Sequence, residues 1–143
     1  MKDLIRKEHQ YQANITQVWD AISKSEEISQ WFIKADFKAE VGYAYTFTHE
    51  DTVISGTVLE ANPVYRLTYT WIVGDTAVET TVSWKLEENE QGTLVTLEHS
   101  GISGYPNDEM ITSMFENFSQ GWGSCIKKLE EFLNRTTHAK QFK

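Results

Sequence analysis

Cysteine is almost missing from this chain, with one residue, Cys125, in 143. A lone thiol closes no internal disulfide, so the fold must hold by packing, and a reducing cytoplasmic setting is expected. Proline is scarce as well: Pro63 and Pro106 both fall in stretches that read as loops. Lys and Arg form no tract, and 13 basic against 21 acidic residues leave a formal charge of -8. That balance lacks the electrostatic footprint of a nucleic-acid partner. No apolar run approaches the length of a membrane span. The opening Met1 to His9 has no apolar stretch of the kind a signal peptide carries, so none is expected. A glycine-rich phosphate loop, a Gly-x-Ser-x-Gly elbow and metal-ligand spacings are absent too. No cofactor, no metal and no catalytic residue is therefore expected.

What is abundant is rings: five Trp, six Tyr and seven Phe. Aromatic side chains bury large apolar areas, so either the core is ring-rich or some rings line a cavity. The length suits one domain, 1–143, able to bury roughly 70% of its extended-chain surface.

Periodicity divides the chain into three parts. Leu4 to Tyr11 reads as an opening strand. Asn14, with Gln17 three residues on, has the form of a helix cap. Ile15, Val18, Trp19 and Ile22 follow at helical spacing, which predicts a short helix over Thr16–Ser23. Ser25 before Glu26 and Glu27 reads as the cap of a second short helix, ending near Trp31 and Phe32. From Phe37 to Ser100 the period becomes two, with runs around Tyr43–Phe47, Thr52–Glu60, Leu67–Val73, Val78–Leu86 and Val95–His99. Hairpin-like spacing between the runs predicts an antiparallel meander. Asn107 then caps a helix whose apolar stripe runs through Phe115, Phe118, Trp122, Ile126, Leu129 and Leu133. Over Asp108–Asn134 that helix would be about 40 Å long, enough to cross a sheet. Gly121 and Gly123 interrupt it, marking either a bend or the close approach of a strand.

A sheet with one apolar face must be covered, and the last helix is the only large cover available. A straight helix cannot follow a twisted sheet along its whole length, so a gap suited to a small molecule is expected between them.

In this order, several short motifs carry a family resemblance. They are Val18-Trp19-Asp20-Ala21-Ile22, Trp31-Phe32, Gly56-Thr57-Val58-Leu59-Glu60 with Pro63, and Arg66-Leu67. Tyr69-Thr70-Trp71, Glu79 to Trp84, Thr96 to Gly101, and Gly121-Trp122 leading to Leu129 and Leu133 complete them. The chain resembles the START-like (SRPBCC) superfamily, and within it the domain named for the C-terminal part of the activator of the 90-kDa heat-shock protein ATPase. The resemblance implies an α+β helix-grip (START/Bet v-like) fold: a curved antiparallel sheet of six to seven strands wrapped on a long C-terminal helix. It also implies two short helices after the first strand and a cavity between sheet and helix. Members of that superfamily carry lipids or hormones, cyclise polyketides or bind chaperones.

The expected function is that of a small cytoplasmic binding protein, monomeric or weakly dimeric, holding an apolar, lipid-like or polycyclic molecule. One alternative is a chaperone-associated stress-response protein, with a chaperone as partner. A second is a cyclase- or hydrolase-type enzyme using His99. Most rings are expected in the core. Those best placed to face the gap are Trp31, Phe32, Phe47, Trp71, Trp84, Phe118 and Trp122, with Met114 as an adaptable wall. Alternation puts His99 on the inner face with Val95 and Leu97, where a neutral imidazole could orient a ligand or be satisfied structurally. His49 could join it. Glu60 is expected to pair with Arg66 across the Asn62-Pro63 turn, and Cys125 to be a buried, inert thiol one position off the helix stripe.

Overall fold

The computed structural model describes residues 3–141, with side chains described for 3–135. Seven strands form one antiparallel sheet: β1 (Ile5–Tyr11), β2 (Lys34–Asp36), β3 (Ala44–His49), β4 (Thr52–Asn62), β5 (Arg66–Val73), β6 (Thr80–Asn89) and β7 (Gly92–Ser100). Two short helices, α1 (Ile15–Ser23) and α2 (Ser25–Trp31), follow β1, and the long α3 (Asp108–Gln141) closes the chain. The spatial order β1-β7-β6-β5-β4-β3-β2 is a meander in which the first strand returns to pair with the last. This is the α+β helix-grip arrangement expected from the order of elements.

Local chemistry explains the boundaries. Asn14 accepts a hydrogen bond from the Gln17 amide at 2.8 Å, and Asn107 accepts one from Met110 at 2.9 Å, so both helix starts are capped as expected. Ser25 acts differently. Its hydroxyl bonds both the amide and the carbonyl of Phe37, at 2.7 and 2.8 Å, and Lys24 takes the cap position of α2. That pair of bonds pins the Phe37 loop and drives its ring into the core. Helix α3 continues past Asn134 because no Pro or Gly follows to stop it, and its 34 residues span about 50 Å. β2 has only three residues, too few for alternation to announce it.

The core lies between the sheet's inner face and the helices. Val82, Trp84 and Leu86 of β6 and Val95 and Leu97 of β7 face Trp122, Leu129 and Leu133 of α3 in one buried cluster. Within the same cluster, Phe37, Tyr45, Phe47, Tyr69 and Trp71 form a continuous ring network, with the Tyr45–Phe47 centroids 4.8 Å apart and Tyr69–Trp71 6.5 Å apart. Such stacked, tilted and edge-on contacts add to simple area burial. Gly56 makes this packing possible. A Cβ there would sit 2.1 Å from the Thr70 carbonyl oxygen, the atom that accepts the Tyr45 hydroxyl. Two other glycines behave unlike the sequence expectation. Nothing lies within 4 Å of a Cβ built on Gly121 or Gly123, so no strand approaches either one. The helix runs unbroken through both.

Candidate functional site

The apolar stripe of α3 changes character along its length. Trp122, Cys125, Ile126, Leu129, Phe132 and Leu133 are buried, whereas Ile111, Met114, Phe115 and Phe118 are only half-buried. Where the stripe loosens, a cleft of about 100 Å³ opens, lined by Phe32, Trp71, Asn117, Phe118, Gly121 and Trp122. Phe32 caps α2 and reaches it from one side, and Trp71 forms its sheet wall. Phe32 stacks on Trp122 with centroids 6.2 Å apart and planes 21° apart. Behind that pair lies a void of only about 10 Å³, lined in part by Trp31, Phe47, Trp84 and Cys125.

The nine residues singled out in the sequence therefore divide. Phe32, Trp71, Phe118 and Trp122 meet at the cleft. Trp31, Phe47 and Trp84 sit one layer deeper, where the Trp31 indole donates to the Ala21 carbonyl and the Trp84 indole to the Tyr69 hydroxyl. Met114 packs with Ile5, Ile102 and Tyr105 in a separate small cluster. Asn117 and Gly121 line the cleft without having been expected there. The gap in helix propensity at Gly121 was the one available signal, and Asn117 carried none.

His99 is fully buried beneath the cleft, its ring 4.4 Å from that of Phe118. Its Nδ1 accepts the Trp122 indole N–H at 2.9 Å, which fixes the neutral tautomer with hydrogen on Nε2. Nε2–H then donates to Thr80 Oγ1 at 2.7 Å, and the Thr80 hydroxyl donates to the Trp71 carbonyl at 3.1 Å. Both ring nitrogens are thus spent on protein partners. Burial pushes the imidazole down to about 4, keeping it neutral. Neither a free nitrogen for a ligand nor a poised acid or base remains. His49 is not brought to it: that residue is exposed at the β3–β4 hairpin, with β4, β5 and β6 between its strand and β7.

Two other expectations are corrected, the Glu60–Arg66 pair and the place of Cys125. Glu60 stands opposite Thr68, and Arg66 opposite Asn62, and no Glu60–Arg66 ion pair forms. Cys125 lies on the buried stripe rather than beside it, and burial pushes its thiol up, consistent with an inert group. Among the described residues, no three His, Cys, Asp or Glu converge on a metal-sized site. No helix among them is long and apolar enough to cross a membrane.

One polar atom of a residue that lines the cleft is unaccounted for. Trp71 is 4% exposed, yet its indole Nε1–H has no hydrogen-bond partner. A buried donor left unpaired costs about 1–3 kcal/mol. The buried indoles of Trp31, Trp84 and Trp122 each have an acceptor.

Residues 12–134 match the family described as Activator of Hsp90 ATPase homolog 1-like protein. The chain belongs to that family. No curated protein matches it. Among solved structures, it is similar to protein MLL2253 from Mesorhizobium loti, with 25% identity and a TM-score of 0.83 over 93% of this chain and 98% of the other. It is also similar to Bacillus halodurans protein BH1534, at 27% identity and TM-score 0.76 over 91% and 96% of the two chains. CalU16 from Micromonospora echinospora shares 28% identity at TM-score 0.69, over 91% of this chain and 72% of the other.

Proposed function

We propose that this protein binds a small aromatic molecule in the cleft between the first half of α3 and the sheet. The observation that carries the proposal is the convergence of four rings, Phe32, Trp71, Phe118 and Trp122, on an apolar cleft with no charged side chain in its lining. Stacking on Trp71, Phe118 and Trp122, with apolar burial, would supply affinity there. The volume limits the ligand. Typical small-molecule pockets span roughly 300–1,000 Å³, and an engineered cavity of about 150 Å³ holds benzene. A cleft of about 100 Å³ admits part of one ring as it stands, so a lipid chain or a polycycle needs side chains to move.

The alternative of a chaperone partner rests on the family's description alone. The alternative of His99-dependent catalysis is disfavoured because that residue's nitrogens are both engaged.

The test is a titration with single-ring and two-ring aromatic fragments, followed by amide signals. Shifts concentrated at Asn117, Phe118, Gly121 and Trp122, abolished in Gly121→Leu, support the proposal. Gly121 lines the cleft and has open space around its Cβ, so a leucine there is placed to narrow the cleft. A panel that moves none of these signals, or moves them equally in Gly121→Leu, contradicts it.

A further inference from the structure

We infer that Trp71 Nε1–H is the polar anchor of the cleft, selecting neutral aromatic carbonyl compounds, and that Phe32 is the side chain they displace. The inference rests on the reading of the cleft as a binding site and deepens it.

Two independent observations lead there. The first is the orphaned donor. Trp71 walls the cleft on the sheet side, and its Nε1–H is a buried indole donor without an acceptor; the atom is closed off from solvent, so an acceptor reaches it only when a neighbouring ring moves aside. Buried donors in folded proteins are nearly always paired, and an unpaired one beside a cleft is a place for an incoming acceptor. An indole offers one hydrogen and accepts none, so the matching ligand group is an acceptor without a proton of its own. A carboxylate or phosphate is excluded by desolvation, because the lining is Phe32, Trp71, Asn117, Phe118, Gly121 and Trp122, with no cation to compensate a buried charge. A ketone or quinone oxygen meets the requirement. The rest of the ligand must be flat and apolar to lie among the rings, with Asn117 available at the exposed mouth for a second polar group.

The second observation is the way Phe32 divides the interior. The cleft and the small inner void share two lining residues, Phe32 and Trp122. Trp122 is held by His99, and its ring is buried. Phe32 has no such tether and is only half-buried at the joint between α2 and β2. Rotation of its ring joins the two spaces and makes room for a bicyclic ligand, while the buried stripe of α3 stays in place.

The experiment compares a matched pair, 1-indanone and its hydrocarbon indane, binding to the full-length protein. With an anchoring N–H, 1-indanone binds about tenfold more tightly than indane, although indane is the more apolar of the two. It also shifts one indole N–H signal, assigned to Trp71 by its loss in Trp71→Phe, and indane does not. In Trp71→Phe the preference disappears or inverts, and in Phe32→Ala both ligands bind more tightly. Equal or tighter binding of indane to the wild-type protein, or an unmoved Trp71 indole, overturns the anchor while leaving the cleft as a binding site. Looser binding of both ligands in Phe32→Ala overturns the gate. Failure of both ligands to shift any cleft signal overturns the anchor and the proposed function together. Because the wild-type comparison of the two ligands needs no variant, the anchor stays open to refutation even where Trp71→Phe does not fold.

Discussion

The two halves of α3 carry the same kind of apolar stripe and do different work. From Trp122 to Leu133 the stripe is sealed against the sheet, with Leu129 fully buried among strand residues. From Met110 to Phe118 the same spacing leaves every apolar residue half-exposed, packed on the small cluster around Ile5, Ile102 and Tyr105, with Phe118 alone also touching the main core. Sequence periodicity is indistinguishable between the halves. The difference comes from a straight helix crossing a twisted sheet, which can be followed closely along one stretch only. The second half is therefore structural cover and the first half a wall with give, and the cleft sits where they meet.

That contrast can be broken most forcefully at Leu129. Leu129→Ala removes a fully buried side chain and is expected to cost about 3–5 kcal/mol, seen as a lowered urea midpoint at unchanged m-value. A cost near that of a surface change would mean the second half is not sealed. Next in size is acid sensitivity. His99 lies under the junction, touching Phe118 of one half and bonded to Trp122 of the other. Its folded-state value, about 4, lies below the ordinary 6.5, so above 6.5 both states are neutral and the full stability is present. As pH falls from about 6.5 to about 4, the unfolded chain takes up a proton that the folded one refuses. The loss is on the order of 3 kcal/mol over that window. Denaturant titrations at several pH values should show this slope in the wild type and not in His99→Gln, and a matching slope in the variant assigns the acid sensitivity elsewhere.

In the loose half, Ile111→Ala should cost no more than about 1 kcal/mol, because half-burial gives back little transfer energy and leaves no closed cavity. A loss as large as that of Leu129→Ala would erase the distinction between the halves. The smallest effect is a gain. Gly121 is helical with open space at its Cβ, so Gly121→Ala should raise stability by about 0.5–1 kcal/mol, measured as a higher thermal midpoint. A destabilised variant would mean something packs there after all.

Much of the architecture was legible in the sequence, for reasons that particular residues make plain. Asn14 and Asn107 announce their helices because a cap is a local interaction. Val82, Trp84 and Leu86 declare a half-buried strand because alternation is local as well. Ser25 misled because its hydroxyl bonds Phe37, twelve residues away, and nothing local says so. The site was half legible for the same reason. Four of its rings could be nominated from their faces, but depth could not be read from spacing. Phe47 and Trp84 share the pattern of Trp71 and lie a layer behind it. His99 was correctly placed on the inner face, while the commitment of both its nitrogens to Thr80 and Trp122 joins two strands and a helix distant in the chain.

The central claim is that the loose half of α3 is the wall of a ligand site. Backbone amide hydrogen exchange along α3, measured with and without a bound aromatic ligand such as 1-indanone, tests it most directly. Without ligand, amides from about Ile111 to Gly121 should exchange faster than those from Trp122 to Leu133, and ligand should slow the first group selectively. Uniform protection along the helix, or a ligand that slows only the second group, would contradict the account.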